Sequence, residues 1–277
     1  MPPPFDTEPS SGAQQGGQSP GWARLQMPEG SRFRDVRVFE ELDSTNRYLV
    51  EEAGRGALDG TVAVARYQTA GRGRRDRRWD AQPDGALLMS VLVRPEVPPN
   101  RYFLVTAALA LAGCEAAESF GVVPVIKWPN DLLVGERKLA GILAQAFDAG
   151  GVPAIVIGIG LNLVPLPSGS DAAPTSTSMT GERPRGSPIL SPVDLVAPVL
   201  EHFEQNYGQA LESPAILMAQ YRQRCATLAR DVRVTLMRGA IEGRAVDVDD
   251  SGALLVRQSN GREMAVTVGD TVHLRPT

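Results

Sequence analysis

Two rhythms of hydrophobic residues divide this chain. From Val36 to about Leu163, strand-like runs alternate with helix-like runs, whereas from Asp231 onward only short alternating runs separated by glycine turns remain. The first rhythm calls for strands and helices packed in layers, and the second is too broken for helices and predicts a small β-barrel. The expected class is α+β, a mixed β-sheet domain followed by a barrel. Val36 to Glu40 reads as a strand, and Ser44-Thr45-Asn46 opens a helix, with the Ser44 hydroxyl placed to cap a free backbone N–H. Thr61 to Gln68 and Ala86 to Arg94 read as strands, and Arg101 to Phe120 as a long helix stopped by Gly121. Pro124 to Trp128 is a short strand, Leu132 to Val134 and Lys138 to Phe147 form a hairpin around Gly135-Glu136-Arg137, and Pro153 to Leu163 is a further strand. Residues 165–191, rich in Pro, Ser, Thr and Gly, are expected to form a long mobile loop before helices near Val193 to Gln209 and Pro214 to Arg224.

Charge and cysteine usage exclude several function classes. Lys and Arg total 28 against 32 Asp and Glu, a net of −4, so any basic site is local rather than global. Cys114, Cys225, His202 and His273 are the only thiols and imidazoles, and their spacing fits neither a zinc site nor a Cys-His nucleophile. Cys114 sits in an apolar run and reads as a buried core thiol, and both cysteines suit a reducing compartment. The first 30 residues draw 18 members from Pro, Gly, Ser and Gln, without the basic and apolar regions of a signal peptide, and read as a disordered tail. The apolar stretch from Phe103 to Ala117 is broken by Thr106 and Glu115 and is too short to span a membrane. A cytoplasmic protein without membrane association is expected.

Chemistry concentrates in four short segments. Gly71-Arg72-Gly73-Arg74-Arg75-Asp76-Arg77-Arg78-Trp79 places five arginines and two glycines in nine positions directly after a predicted strand. Glycine lets backbone approach a ligand, arginine offers planar forks for carboxylate or phosphate oxygens, and Trp79 adds a stacking face. Lys127-Trp128-Pro129-Asn130-Asp131 puts a cation, an amide and a carboxylate at one reversal, where Lys127 suits phosphate and Asn130 and Asp131 are hard oxygen donors of the kind Mg²⁺ takes. Pro-Asn-Asp is equally an ordinary turn. Lys138 to Leu143 begins a strand with a lysine, and Gly158-Ile159-Gly160-Leu161-Asn162 sets two glycines and an amide late in the next. With no third glycine and no following helix, that segment is a pocket floor rather than a dinucleotide-binding loop.

Ser44-Thr45-Asn46, Gln68, the Gly71 to Arg75 loop, Lys127 to Asp131, Lys138 to Leu143 and Gly158 to Asn162 occur in the order and approximate spacing of the biotin–protein ligase family, which this sequence resembles from about residue 36 to 277. The resemblance implies a tail over 1–30, a catalytic domain of the biotin/lipoate ligase type over 31–226, and an SH3-like barrel over 227–277. It implies that Ser44, Thr45, Asn46 and Gln68 bind biotin, together with Gly71, Arg72, Gly73, Arg74, Lys138, Gly158 and Gly160. Arg74, Arg75, Trp79, Lys127, Asn130 and Asn162 are the implied ATP contacts, Asp131 the Mg²⁺ ligand, and Arg72, Lys127 and Lys138 the catalytic cations. The implied acceptor is the biotin carboxyl carrier domain of a carboxylase such as acetyl-CoA carboxylase, and the chain is a monomer or homodimer. Asp76 departs from the glycine that commonly follows the arginine pair, which implies a stiffer or partly self-neutralised loop. No helix-turn-helix is legible in residues 1–30, so a ligase without DNA binding is expected.

The implied reaction needs no enzyme nucleophile. Biotin's carboxylate attacks the α-phosphate of ATP, pyrophosphate leaves, and an acceptor lysine then displaces AMP from biotinyl-5′-AMP. Such chemistry asks for cations that bring two anions together, which suits a chain poor in His and Cys. A lipoate–protein ligase, a non-enzymatic biotin- or nucleotide-binding module and a nucleic-acid-binding protein are the alternatives. The arginine loop favours biotin over lipoate, and net acidity with 5% aromatic residues disfavours nucleic acid.

Overall fold

The computed structural model describes residues 22, 25, 27–236, 239–267 and 269–274. Most of the expected tail lies outside the described residues, but Trp22, Leu25 and Met27 pack against the main core. The seven strands of the larger sheet are β1 (Val36–Leu42), β2 (Val62–Gln68), β3 (Ala86–Val93), β4 (Val125–Lys127), β5 (Asp131–Val134), β6 (Arg137–Asp148) and β7 (Pro153–Asn162). They lie in the order β1-β2-β3-β7-β6-β5-β4, with β1 parallel to β2 and every other pair antiparallel.

Strand periodicity decides which side chains face the core. On β3 Leu87, Met89, Val91 and Val93, and on β7 Ile155, Ile157, Ile159 and Leu161, point into the main cluster. That cluster lies against α2 (Phe103–Glu118) and α4 (Pro192–Glu212). α2 is apolar all round and is buried on nearly every face, as such a helix must be. α4 begins with a capping box in which the Ser191 amide and hydroxyl both donate to Asp194 Oδ2. The opposite face of the sheet carries a smaller cluster, in which Leu49 and Ala53 of α1 (Thr45–Gly54) cover Phe39, Ala63, Ala65 and Val156. Beyond α1, the same face of β3, β7 and β6 is left to smaller and more polar side chains.

Residues 165–191, expected to form a long loop, are tied to the sheet around Thr177 and Thr180. The Thr177 amide donates to Lys138 O at 2.8 Å, the Thr180 amide to Leu163 O at 2.9 Å, and Asn162 Nδ2 to Thr177 O at 3.0 Å. A 3-10 turn at Ala173–Thr175 and the single-turn helix α3 (Met179–Glu182), capped by Ser178, punctuate the segment. α5 (Pro214–Arg224) leads into β8 (Asp231–Thr235), β9 (Ala240–Val248), β10 (Leu254–Arg257), β11 (Glu263–Val266) and β12 (Asp270–His273), which form one antiparallel sheet in the order β11-β10-β9-β8-β12. Both cysteines are buried, and burial pushes the Cys114 thiol up to about 12, which fits the core role expected of it. Among the described residues no helix is long and apolar enough to cross a membrane.

Candidate active site

The face of the sheet that the helices leave uncovered forms a cleft of about 360 Å³, within the range of small-ligand sites. Its floor follows from register. Ser90, Gly158 and Leu143 are paired across β3, β7 and β6, and Leu88, Gly160 and Gly141 form the next row, all on the face away from the main core. The two glycines of β7 are open for different reasons. A Cβ on Gly158 would meet Asn46 Oδ1 at 2.2 Å and Ser90 Oγ at 2.8 Å, and one on Gly160 would meet Trp79 Cε2 at 2.5 Å. Both give way to side chains of this same protein, and both line the floor of the cleft.

One end of the cleft is a neutral hydrogen-bonded cluster. Ser44 caps α1, its hydroxyl accepting from Arg47 N at 3.5 Å. The Thr45 amide donates to Gln68 Oε1 at 2.7 Å, and Thr45 Oγ1 lies 2.7 Å from Ser90 Oγ, which donates to Asn46 Oδ1 at 2.6 Å. Asn46 Nδ2 donates to Leu143 O and to Gln145 Oε1. Ser44, Thr45, Asn46 and Gln68 therefore converge as their motif implied, held by Ser90 and Gln145. Ser90 escaped the sequence reading although the signal was present, since it is the single polar residue in the fully buried strand Ala86–Val93.

The other end is cationic. Lys138 Nζ pairs with Asp131 Oδ1 at 2.6 Å and lies 5.4 Å from the centre of the Trp79 ring. Lys127 and Arg72 line the cleft and make no side-chain hydrogen bond or ion pair among the described residues. Arg74 Nη1 donates to Asn130 Oδ1 at 2.9 Å, and Asn130 Nδ2 donates to Ile142 O at 2.7 Å. Asn130 is thus a bracket for the arginine loop. Burial lowers the pKa of the Arg74 guanidinium from its usual range, with Asp270 and Asp131 opposing the shift. Two buried polar atoms on cleft residues, Trp79 Nε1 and Asn162 Oδ1, lack a partner and offer one donor and one acceptor to a ligand.

The arginine loop is shared with the barrel. Asp270 on β12 takes Arg77 Nη2 at 2.8 Å and lies 3.6 Å from both Arg74 Nη1 and Arg75 Nη1. Arg75, implied as an ATP contact, turns away from the cleft and donates to Thr235 O at 2.6 Å, its backbone in the left-handed region at φ 55°. Gly71 does not line the cleft either. It gives the chain room to pass Trp79, whose amide donates to Gly71 O at 3.0 Å. The Asp76 side chain lies outside the described residues, and the described carboxylate that neutralises this loop is Asp270. No group of three or more His, Cys, Asp or Glu side chains able to hold a metal occurs among the described residues. Among the described residues there is thus no protein-only metal cage.

Comparison with known proteins fits this geometry. Residues 38–162 match the model of the Biotin/lipoate A/B protein ligase family, and residues 227–274 match the biotin protein ligase C-terminal domain. The chain is 37% identical over 254 residues to the biotin–[acetyl-CoA-carboxylase] ligase of Mycobacterium tuberculosis, covering 89% of this chain and 91% of that one. It belongs to the biotin–protein ligase family. The same enzyme of Paracoccus denitrificans is 34% identical, with 80% of this chain and 94% of that one covered. A biotin protein ligase from Aquifex aeolicus, solved in complex with biotin and ATP, shares the fold at a TM-score of 0.74, with 24% identity over 87% of this chain and all of that one. The mixed sheet followed by an SH3-like barrel is therefore the biotin–protein ligase architecture, as the sequence led us to expect.

Proposed function

We infer that this chain is an ATP-dependent biotin–protein ligase, which forms biotinyl-5′-AMP and passes the biotinyl group to a lysine of the biotin carboxyl carrier domain of a carboxylase, acting in the cytoplasm. The observation that carries this reading is a single cleft with two chemically distinct ends, a neutral polar cluster at Ser44, Thr45 and Gln68 and a cationic group at Lys127, Lys138, Arg72 and Arg74. A neutral heterocycle joined to a carboxylate by an apolar chain suits the first end and the middle, and a polyphosphate suits the second. Membership of the family, and relatives named for acetyl-CoA carboxylase, supply the substrates.

In this reading Thr45 and Gln68 hold the ureido ring beside Asn46, and Gly158 leaves the space that Asn46 and Ser90 fill at that end of the floor. Lys138 meets the biotin carboxylate in exchange for Asp131, which is thereby released at the moment a cation-bearing nucleotide needs an oxygen donor. Arg72 and Lys127, the unpaired cations, draw in the triphosphate, and Trp79 with Asn162 faces the base. Mg²⁺ held at Asp131 would supply charge neutralisation of the polyphosphate. The carboxylate oxygen bonds to the α-phosphorus while the bond to pyrophosphate breaks. The acceptor amine then bonds to the acyl carbon, AMP leaves, and the amine's proton passes to solvent. Nothing in this sequence needs an enzyme nucleophile, and positioning with charge stabilisation carries the rate.

Pyrophosphate release from Mg·ATP, with hydroxylamine present to trap the acyl group, tests the reading. Release that requires biotin is the expected result. Release with lipoate and not biotin would move the chain to the sister activity, and silence with both from folded protein would leave only ligand binding.

A further inference from the structure

The barrel also reaches the cationic end of the cleft from behind, through one buried threonine. Thr227 is fully buried. Its Oγ1 accepts from Trp128 N at 3.0 Å and lies 3.0 Å from Nε2 of His273, on the last strand of the barrel. A hydroxyl that accepts from an amide still has its own proton to donate, so a neutral His273 completes the chain as acceptor. The same reversal is held at three further points. Trp128 Nε1 donates to Gly252 O at 2.9 Å, Tyr221 Oη to Pro129 O at 3.2 Å, and the Ala226 amide to Ile126 O at 2.8 Å. Lys127 sits between two residues pinned in this way, and its own side chain is left to face the cleft. Thr227, Gly252 and His273 do not line the cleft. The polar cluster at Ser44, Thr45 and Gln68, by contrast, is built wholly from α1 and the larger sheet.

We propose that Thr227, backed by His273, is a positioning residue for the nucleotide half of the site, setting Lys127 and the start of β5 by holding the Trp128 amide. The two domains thus divide the work: α1 and the larger sheet shape the biotin end, and the ATP end is complete only with the barrel docked. This inference rests on the division of the cleft proposed above. A threonine that merely joined two domains would lower stability when altered and leave the two substrates equally affected. A positioning threonine acts on ATP selectively.

The test is steady-state pyrophosphate release by the full-length protein, with KM measured separately for ATP and for biotin, and melting temperature recorded for each variant. Thr227→Val keeps the volume and removes the acceptor, so KM for ATP should rise roughly fivefold (about 1 kcal/mol, one hydrogen bond) while KM for biotin stays within about twofold. Thr227→Ser should restore the wild-type KM for ATP. His273→Ala leaves the Thr227 to Trp128 bond in place and should shift the same constant in the same direction by less, and it reads the split should Thr227→Val not fold. Unchanged KM for ATP in a folded Thr227→Val protein, or an equal rise for both substrates, overturns the proposal alone. A wild-type protein with no biotin-dependent release overturns the ligase reading with it.

Discussion

Two glycines on one strand, two residues apart, provide the sharpest test of how the cleft is divided. Gly160 gives way to the indole of Trp79 and Gly158 to Asn46 and Ser90. A methyl group at either position forces its neighbour to move, because each contact falls well inside van der Waals distance. Gly160→Ala should displace the indole and raise KM for ATP, whereas Gly158→Ala should disorder the Asn46 cluster and raise KM for biotin. Each effect is expected at about tenfold, or about 1.4 kcal/mol. The same constant moving in both variants, with melting temperatures unchanged, would show that the two ends are not separate sites. Lys138 belongs to this scale too. Lys138→Ala removes the cation that pairs with Asp131 and is proposed to meet the biotin carboxylate, and adenylate formation in single-turnover assays should slow by at least about tenfold. A wild-type rate would dismiss Lys138 from the chemistry.

At the scale of elements, the arginine loop is restrained by a carboxylate nearly two hundred positions away. Arg74, Arg75 and Arg77 all approach Asp270. Asp270→Asn should loosen the loop, and brief trypsin treatment without ligands should then cut between Arg74 and Arg78 several times faster than in the wild type. An equal cutting rate would mean that Asn130 and the Thr235 carbonyl suffice. This contact also shows where the sequence stopped being legible. Strands such as Ala86–Val93 and Pro153–Asn162 declare themselves through local apolar runs, and Ser44 declares its cap within one turn. The residues that Ser44, Gln68, Lys127 and Lys138 bring together were readable because each sits in a local motif. Asp270 carries no motif, and nothing local ties Thr177 to the carbonyl of Lys138 or turns Arg75 toward Thr235. The bonds that Thr177 and Thr180 make to Lys138, Asn162 and Leu163 were illegible for the same reason, since no local pattern marks either partner.

For the molecule as a whole, the docking of the barrel on the sheet predicts a particular acid sensitivity. His273 is half-buried between Thr227, Lys127, Arg230 and Glu136. Burial first, then the positive charges of Lys127 and Arg230, lower its pKa from 6.5 to about 4, while Glu136, itself paired with Arg230 at 2.8 Å, opposes them weakly. Between those two values the unfolded chain binds a proton at this position that the folded chain refuses. Stability therefore rises with pH across the window, and it is lost as the pH falls from about 6.5 toward about 4. His273→Gln keeps a group able to accept from Thr227 but cannot be protonated. Its melting temperature should consequently fall less than that of the wild type between pH 7.5 and pH 5, although other groups titrate in both proteins, because the comparison cancels what they share. Equal falls would mean that His273 is as easily protonated in the folded state as in the unfolded one. A smaller fall would place the acid-labile contact at the junction that also steadies Lys127, so that activity at low pH should fail through KM for ATP before the protein unfolds.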